Sequence, residues 1–179
     1  MAEAPSLSAG PLRLRPFGPE HLSEAYIGWM NDPEVLHYSE NRHRHHDRDS
    51  CAAFVAATQA GPGAIWAIEL AEAPQTHIGN ITASIDPWNG IADIGILLGH
   101  PEARGRGYGL IAWRALLDHL CARPDLRKVT GGCMAANAAM LRIMENSGMS
   151  PDGCRKAHYL LDGAAVDIVY YARFCGLEA

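Results

Sequence analysis

Two periods of apolar residues run along this chain. Leu12-Arg13-Leu14-Arg15 alternates residue by residue and predicts a first strand, stopped by Pro16. Over residues 19–30, Leu22, Ala25, Tyr26 and Trp29 share one helical face, and Asn31-Asp32-Pro33 is a turn signature that ends it. A second helix is predicted from Asp47 or Asp49 to Ala60, closed by Gly61-Pro62-Gly63. Residues 64–71 and 78–85 read as strands joined through Ala73-Pro74-Gln75. Asp86-Pro87-Trp88-Asn89-Gly90 then turns the chain into the next strand.

Residues 91–120 organise the rest. The apolar run from Ile94 to Leu98 is too short for a helix and is bounded by Gly99 and Pro101, so 91–98 predicts a buried central strand. A charged turn, Arg104-Gly105-Arg106-Gly107-Tyr108-Gly109, follows, and Leu110, Trp113, Leu117 and Leu120 recur at helical spacing after it. Downstream, 128–134 predicts a strand and 137–146 a short helix stopped by Ser147-Gly148. Residues 157–161 and 166–174 form a hairpin around Asp162-Gly163. The order is that of a mixed α/β domain whose first half is mainly antiparallel. Residues 1–10 read as a disordered tail and 11–179 as one domain.

Composition narrows the function. A length of 179 residues suits one domain with a real core. The net charge of -5 argues against broad nucleic-acid binding, which needs a basic surface. No apolar run approaches the ~20 residues of a membrane span, and the first ten residues lack a signal peptide's basic start and apolar core. Cys51, Cys121, Cys133, Cys154 and Cys175 are scattered, without a Cys-x-x-Cys, and are expected to be reduced thiols of a cytoplasmic protein.

Strand, glycine turn and helix together make an anion site, because free amides at a helix start point at whatever sits there. Arg104 and Arg106 add positive charge. The turn lacks the Gly-Lys-Ser/Thr ending of a Walker loop, and its glycines at 105, 107 and 109 do not fit Gly-x-Gly-x-x-Gly. A tight connection with no ligand is the alternative. Residues 34–46 carry Glu40, Arg42, His43, Arg44, His45 and His46. They read as a solvated loop or as an acceptor-binding wall in which Arg42 and Arg44 capture an anion. A metal site there would lack further ligands at a recognisable spacing, so no metal is expected.

Arg-x-x-Gly-x-Gly after a strand resembles the acyl-CoA loop of the GNAT N-acetyltransferases, and the order of elements is similar to theirs from about Leu12 to Phe174. The helix led by Asn137 and ended by Gly148-Met149 resembles the family's Asn-led helix. Leu12-Arg-Leu-Arg-Pro and Trp29-Met-Asn-Asp-Pro-Glu resemble its ribosomal-protein and amino-sugar branches, and Ile78-Gly-Asn-Ile resembles the amino-sugar and flagellar-glycan branch. The resemblance implies a mostly antiparallel twisted sheet with a central splay and helices on both faces. It implies acetyl-CoA as cosubstrate, its diphosphate on Gly105, Arg106, Gly107, Tyr108, Gly109 and Leu110, with Arg104 opening the motif. It also implies the pantetheine arm along Leu97, Leu98 and Gly99, contacted by Asn137. An N-cap is the other reading of Asn137.

The implied reaction is attack of a neutral amine on a thioester, which needs a proton acceptor and a donor to the oxyanion. An amide near Leu98 or Gly99 is the expected donor. Asp93 stands where histone-type members carry a glutamate base, and it is the only carboxylate inside the central strand. The alternative is a strand-end aspartate that faces solvent or makes a structural hydrogen bond. The usual acid is absent: Met144 stands where many members have Tyr, and Met140 where the ribosomal branch often has Ser. The expected acceptor is a small-molecule or protein amine, with Glu40, Arg42 and Arg44 as substrate-binding candidates. Amino-sugar nucleotides would suit the arginines, and protein N-termini would suit an acidic groove with Glu34 and Glu40. A non-catalytic acyl-CoA-binding module is the third possibility, and a homodimer is open to any of them.

Overall fold

The computed structural model of the chain describes residues 4–73 and 76–176. Its elements in order are β1 (Leu7–Ala9), β2 (Leu12–Pro16), α1 (Glu24–Trp29), α2 (Arg48–Ala60), β3 (Ala64–Leu70), β4 (His77–Asp86) and β5 (Ile91–Leu98). There follow α3 (Tyr108–Cys121), β6 (Lys128–Met134), α4 (Ala138–Asn146), β7 (Ser150–Leu161) and β8 (Ala164–Phe174). The strands form one sheet in the order β1-β2-β3-β4-β5-β6-β8-β7, antiparallel except for the pair β5–β6.

Alternation along the strands supplies a core on each face. In β3, Trp66 and Ile68 point to the face covered by α3 and α4, with Leu14, Ile81, Ile94, Trp113, Leu116 and Met144. Ile65 and Ala67 point to the other, with Phe17, Tyr26, Trp29 and Cys51 under α1 and α2. Met144 is fully buried in the first core.

Four expectations change. Within the expected tail, Leu7, Ser8 and Ala9 form a strand paired with β2, Leu7 and Ala9 pack on the core, and the carbonyl of Pro5 accepts from the Trp66 indole at 2.8 Å. The first helix is broken: a 3-10 turn over Pro19–His21 precedes α1, and Ser23 caps α1 by accepting from the Tyr26 amide. β7 begins at Ser150 and bends where its register to β8 shifts between Arg155 and Tyr159. Cys121 and Cys175 are joined by a disulfide across 54 residues, leaving Cys51, Cys133 and Cys154 free. That pairing follows from the meeting of the ends of α3 and β8, which residue spacing does not reveal. Of the linker expected at 73–75, Pro74 and Gln75 lie outside the described residues.

β5 is where the sheet divides. It pairs with β6 only through Ile91↔Lys128, Ala92↔Val129 and Asp93↔Thr130, yet it stays with β4 as far as Gly79↔Leu98. β6 keeps to β8 as far as Met134↔Ile168. A cleft therefore opens between β5 and β6 beyond Asp93.

Candidate active site

A turn with free amides stands at one end of the cleft. Gly105 and Gly107 adopt φ of +73° and +75°, a region costly for residues with a Cβ. Gly107 is the N-cap of α3, with no side chain bonded to the first turn. Among the described residues, no acceptor takes the amides of residues 105–110, whereas the Ile111 amide already donates to the Gly107 carbonyl at 3.2 Å. A Cβ built on Gly105 or Gly107 would meet nothing within 4 Å, so the mouth of the helix is open. Gly109 serves packing: a Cβ there would come within 2.9 Å of Ile143 on α4. Arg104 is tied at 2.9 Å to the Glu34 carboxylate in the loop after α1, while the exposed Arg106 has no ion-pair partner among the described residues.

The backbone of β5 has a definite phase. The Gly99 amide donates to the Ile78 carbonyl at 3.1 Å, as does that of His100. In an antiparallel ladder alternate residues face the partner, so Leu97 and Gly99 are committed to β4 and the amides of Ile96 and Leu98 point into the cleft. Of the three residues expected to pair with pantetheine, Leu98 has its amide free of β4, whereas Leu97 and Gly99 face that strand. Gly99 is needed instead because a Cβ there would fall 2.0 Å from the Trp29 ring. Ile96, absent from the expected set, joins Leu98 as an available amide. Asn137 lies on the far side, where its side chain caps α4 by accepting from the Met140 amide at 3.1 Å and also lines the cavity described next.

A cavity of about 490 Å³ opens on the α1/α2 face, over Gly95, Ile96, Leu97 and Leu98. Tyr26, Tyr38 and Phe54 give it apolar walls; Asn80, Arg44, His45 and His46 give it polar ones. Among the described residues no Asp or Glu lines it. Gly95 keeps the floor open, since a Cβ there would meet only the Thr82 hydroxyl, at 3.3 Å. Of the expected substrate-binding trio only Arg44 reaches this space. Arg42 is committed to the carbonyls of Ser39 and Leu160 and to the Glu40 carboxylate, at 2.8, 2.7 and 2.8 Å, so Arg42 and Glu40 brace the loop.

Asp93 sits where β5 and β6 part, two residues before Gly95 on the same face, hence about 6.6 Å away along the strand. It lies outside the cavity lining and is exposed to solvent. Burial by surrounding protein raises its carboxyl pKa, and a 2.7 Å hydrogen bond from the Thr130 hydroxyl opposes that rise. The structural hydrogen bond expected as an alternative is thus present and leaves one carboxylate oxygen unshared with Thr130. Cys133, on β6, is a poor nucleophile: burial pushes its thiol up to about 11. Asn80 and Thr130 were missed in the sequence; a lone Asn within Ile78–Ile81 was the available signal.

Strands that part beside an amide-rich helix mouth define an acyl-CoA acyltransferase. Residues 11–150 match the family described as acetyltransferase (GNAT) domain, and the chain belongs to that family of N-acetyltransferases. No curated protein sequence matches it. Among solved structures it is similar to RimL, a ribosomal L7/L12 alpha-N-protein acetyltransferase in complex with coenzyme A, with TM-score 0.83 and 21% identity over 97% of this chain and 100% of that one. A spermidine N-acetyltransferase from Vibrio cholerae, in complex with CoA and spermine, gives 0.80 and 17% over 92% and 95%. The microcin C7 self-immunity acetyltransferase MccE, in complex with acetyl-CoA and AMP, gives 0.75 and 17% over 92% and 93%. At these identities the likenesses speak for the fold alone.

Proposed function

We propose that the protein transfers the acetyl group of acetyl-CoA to the amine of an anionic small molecule, an amino-sugar nucleotide being the best-fitting class. The carrying observation is the conjunction of unpaired amides at residues 105–110 with a carboxylate-free cavity that Arg44 lines. The diphosphate rests on those amides and the positive end of the α3 dipole. Pantetheine runs down the cleft as an added strand, bonding Leu98 and Ile96, with Asn137 opposite. The thioester then faces the cavity, and a cleft-facing amide of β5 receives the oxyanion.

The acceptor amine lies over Gly95. Asp93 takes its proton through one bridging water, the shorter reach of Asp making that water necessary. With methionine at 140 and 144, the thiolate leaves directly or takes a proton from the attacking amine. Acetyl-CoA as cosubstrate also supports the cytoplasm as working compartment.

The bound AMP of MccE supports a nucleotide-bearing acceptor. A polyamine would need carboxylates that the cavity lacks. The ribosomal N-terminus draws support from the likeness to RimL, but the acidic groove expected for it is missing, since Glu34 is spent on Arg104 and Glu40 on Arg42. Thiol release from acetyl-CoA, measured across amino-sugar nucleotides, spermidine and N-terminal peptides, tests the reading. Arg44→Ala is expected to raise the nucleotide's KM roughly tenfold with the acetyl-CoA KM unmoved. Spermidine as the best acceptor would overturn the acceptor class, and acetyl-CoA binding without turnover of any amine would favour a non-catalytic module.

A further inference from the structure

Among the described residues the buried Asn80 makes one of the four hydrogen bonds its side-chain amide can make. It is 6% exposed, yet it lines the cavity on the face from which Leu97 projects. Its Oδ1 lies 2.9 Å from His77 Nε2. The His77 ring is wedged among Phe17, His21, Tyr26 and Trp29, at centroid distances of 5.0 to 6.3 Å. Its Nδ1 is buried without a partner. Leaving a lone pair unpaired is cheaper than leaving an N–H unpaired, so the proton belongs on Nε2 and is donated to Asn80. That donation fixes the amide flip and turns Nδ2, with two donors, away from His77. Among the described residues Nδ2 donates to nothing.

We propose that Asn80 is a specificity-determining residue whose Nδ2 donates to an oxygen of the acceptor, with His77 as its positioning residue. Nδ2 is open to the cavity rather than sealed in the core, so a ligand lying there can take its hydrogen bonds. On the acetyl-transfer reading the thioester carbonyl is received by a cleft-facing amide of β5, which leaves Asn80, on β4, for the acceptor. A pure donor discriminates, because it repels an ammonium and pairs with a hydroxyl or carbonyl oxygen. The acceptor is therefore hydroxylated or carbonyl-bearing near its amine. This inference rests on the acetyl-transfer reading above.

The test compares two anionic amines, a hexosamine phosphate and a 6-aminohexyl phosphate that lacks the ring oxygens. Wild-type enzyme should prefer the former in kcat/KM by at least about tenfold. Asn80→Ala should erase the preference through the hexosamine KM, with acetyl-CoA affinity unchanged. His77→Gln, which keeps a donor toward Oδ1, should retain more of the preference than His77→Ala. Wild-type enzyme that treats the two phosphates alike or uses neither, or an Asn80→Ala protein that keeps the preference, overturns the assignment. If another amine is acetylated meanwhile, the transfer reading stands; absence of acetyl-CoA binding removes both.

Discussion

Thr130 donates a 2.7 Å hydrogen bond to Asp93 across the last rung that β5 and β6 share. The contact holds the carboxylate at the fork of the sheet and stabilises its charged form, against the burial that raises its pKa. A base works deprotonated, so with Asp93 as the proposed base the loss of this donor is expected to shift activity toward higher pH. Thr130→Val should move the acidic limb of the kcat/KM profile upward. Asp93→Asn should lower kcat on the order of a hundredfold with acetyl-CoA affinity nearly intact. An unchanged pH–rate profile in either variant would remove Asp93 from the reaction.

Gly107→Glu should abolish acetyl-CoA binding by calorimetry. It sets an anion at the proposed seat of the diphosphate, and it forces a side chain into positive φ, which costs roughly 1–2 kcal/mol. Gly107→Ala carries the same strain without the charge. Weaker binding in the glutamate variant than in the alanine variant isolates the electrostatic part.

Gly99 and Trp29 occupy adjoining space with no room for a methyl group. Gly99→Ala should lower stability by about 1–3 kcal/mol, read by denaturant unfolding, as overpacking does. Because Trp29 closes α1 against the end of β5, acceptor KM should rise in the same variant.

The Cys121–Cys175 disulfide predicts three titratable thiols in denaturant without reductant and five with it. Reduction should lower the unfolding free energy by about 2–4 kcal/mol, since the link closes a long loop. In the native protein exposed Cys154 should react first with an alkylating reagent, and Cys133, with its thiol near 11, much later.

Much of this was legible in the residues. β2, β3, β5, β6 and α2 lie close to where period and punctuation put them, with Asp47 as the cap of α2. The glycine turn announced itself because an open helix mouth needs positive φ at two positions, and glycine supplies both cheaply. The short strand at Leu7–Ala9 gave no periodic signal, because three residues hold hardly more than one alternation.

Local physics, then, was written in the chain: strand and helix periods, caps, the anion-binding turn and the only carboxylate of the central strand. Long-range geometry was decided by folding alone. The parity of the β4–β5 ladder left the amides of Leu98 and Ile96, not those of Leu97 and Gly99, free of β4, the contacts of Arg42 removed it from the cavity that Arg44 lines, and the convergence of two chain ends joined Cys121 to Cys175. Each of these depends on which distant residue stands opposite, and a pattern read along one segment carries no record of its partner.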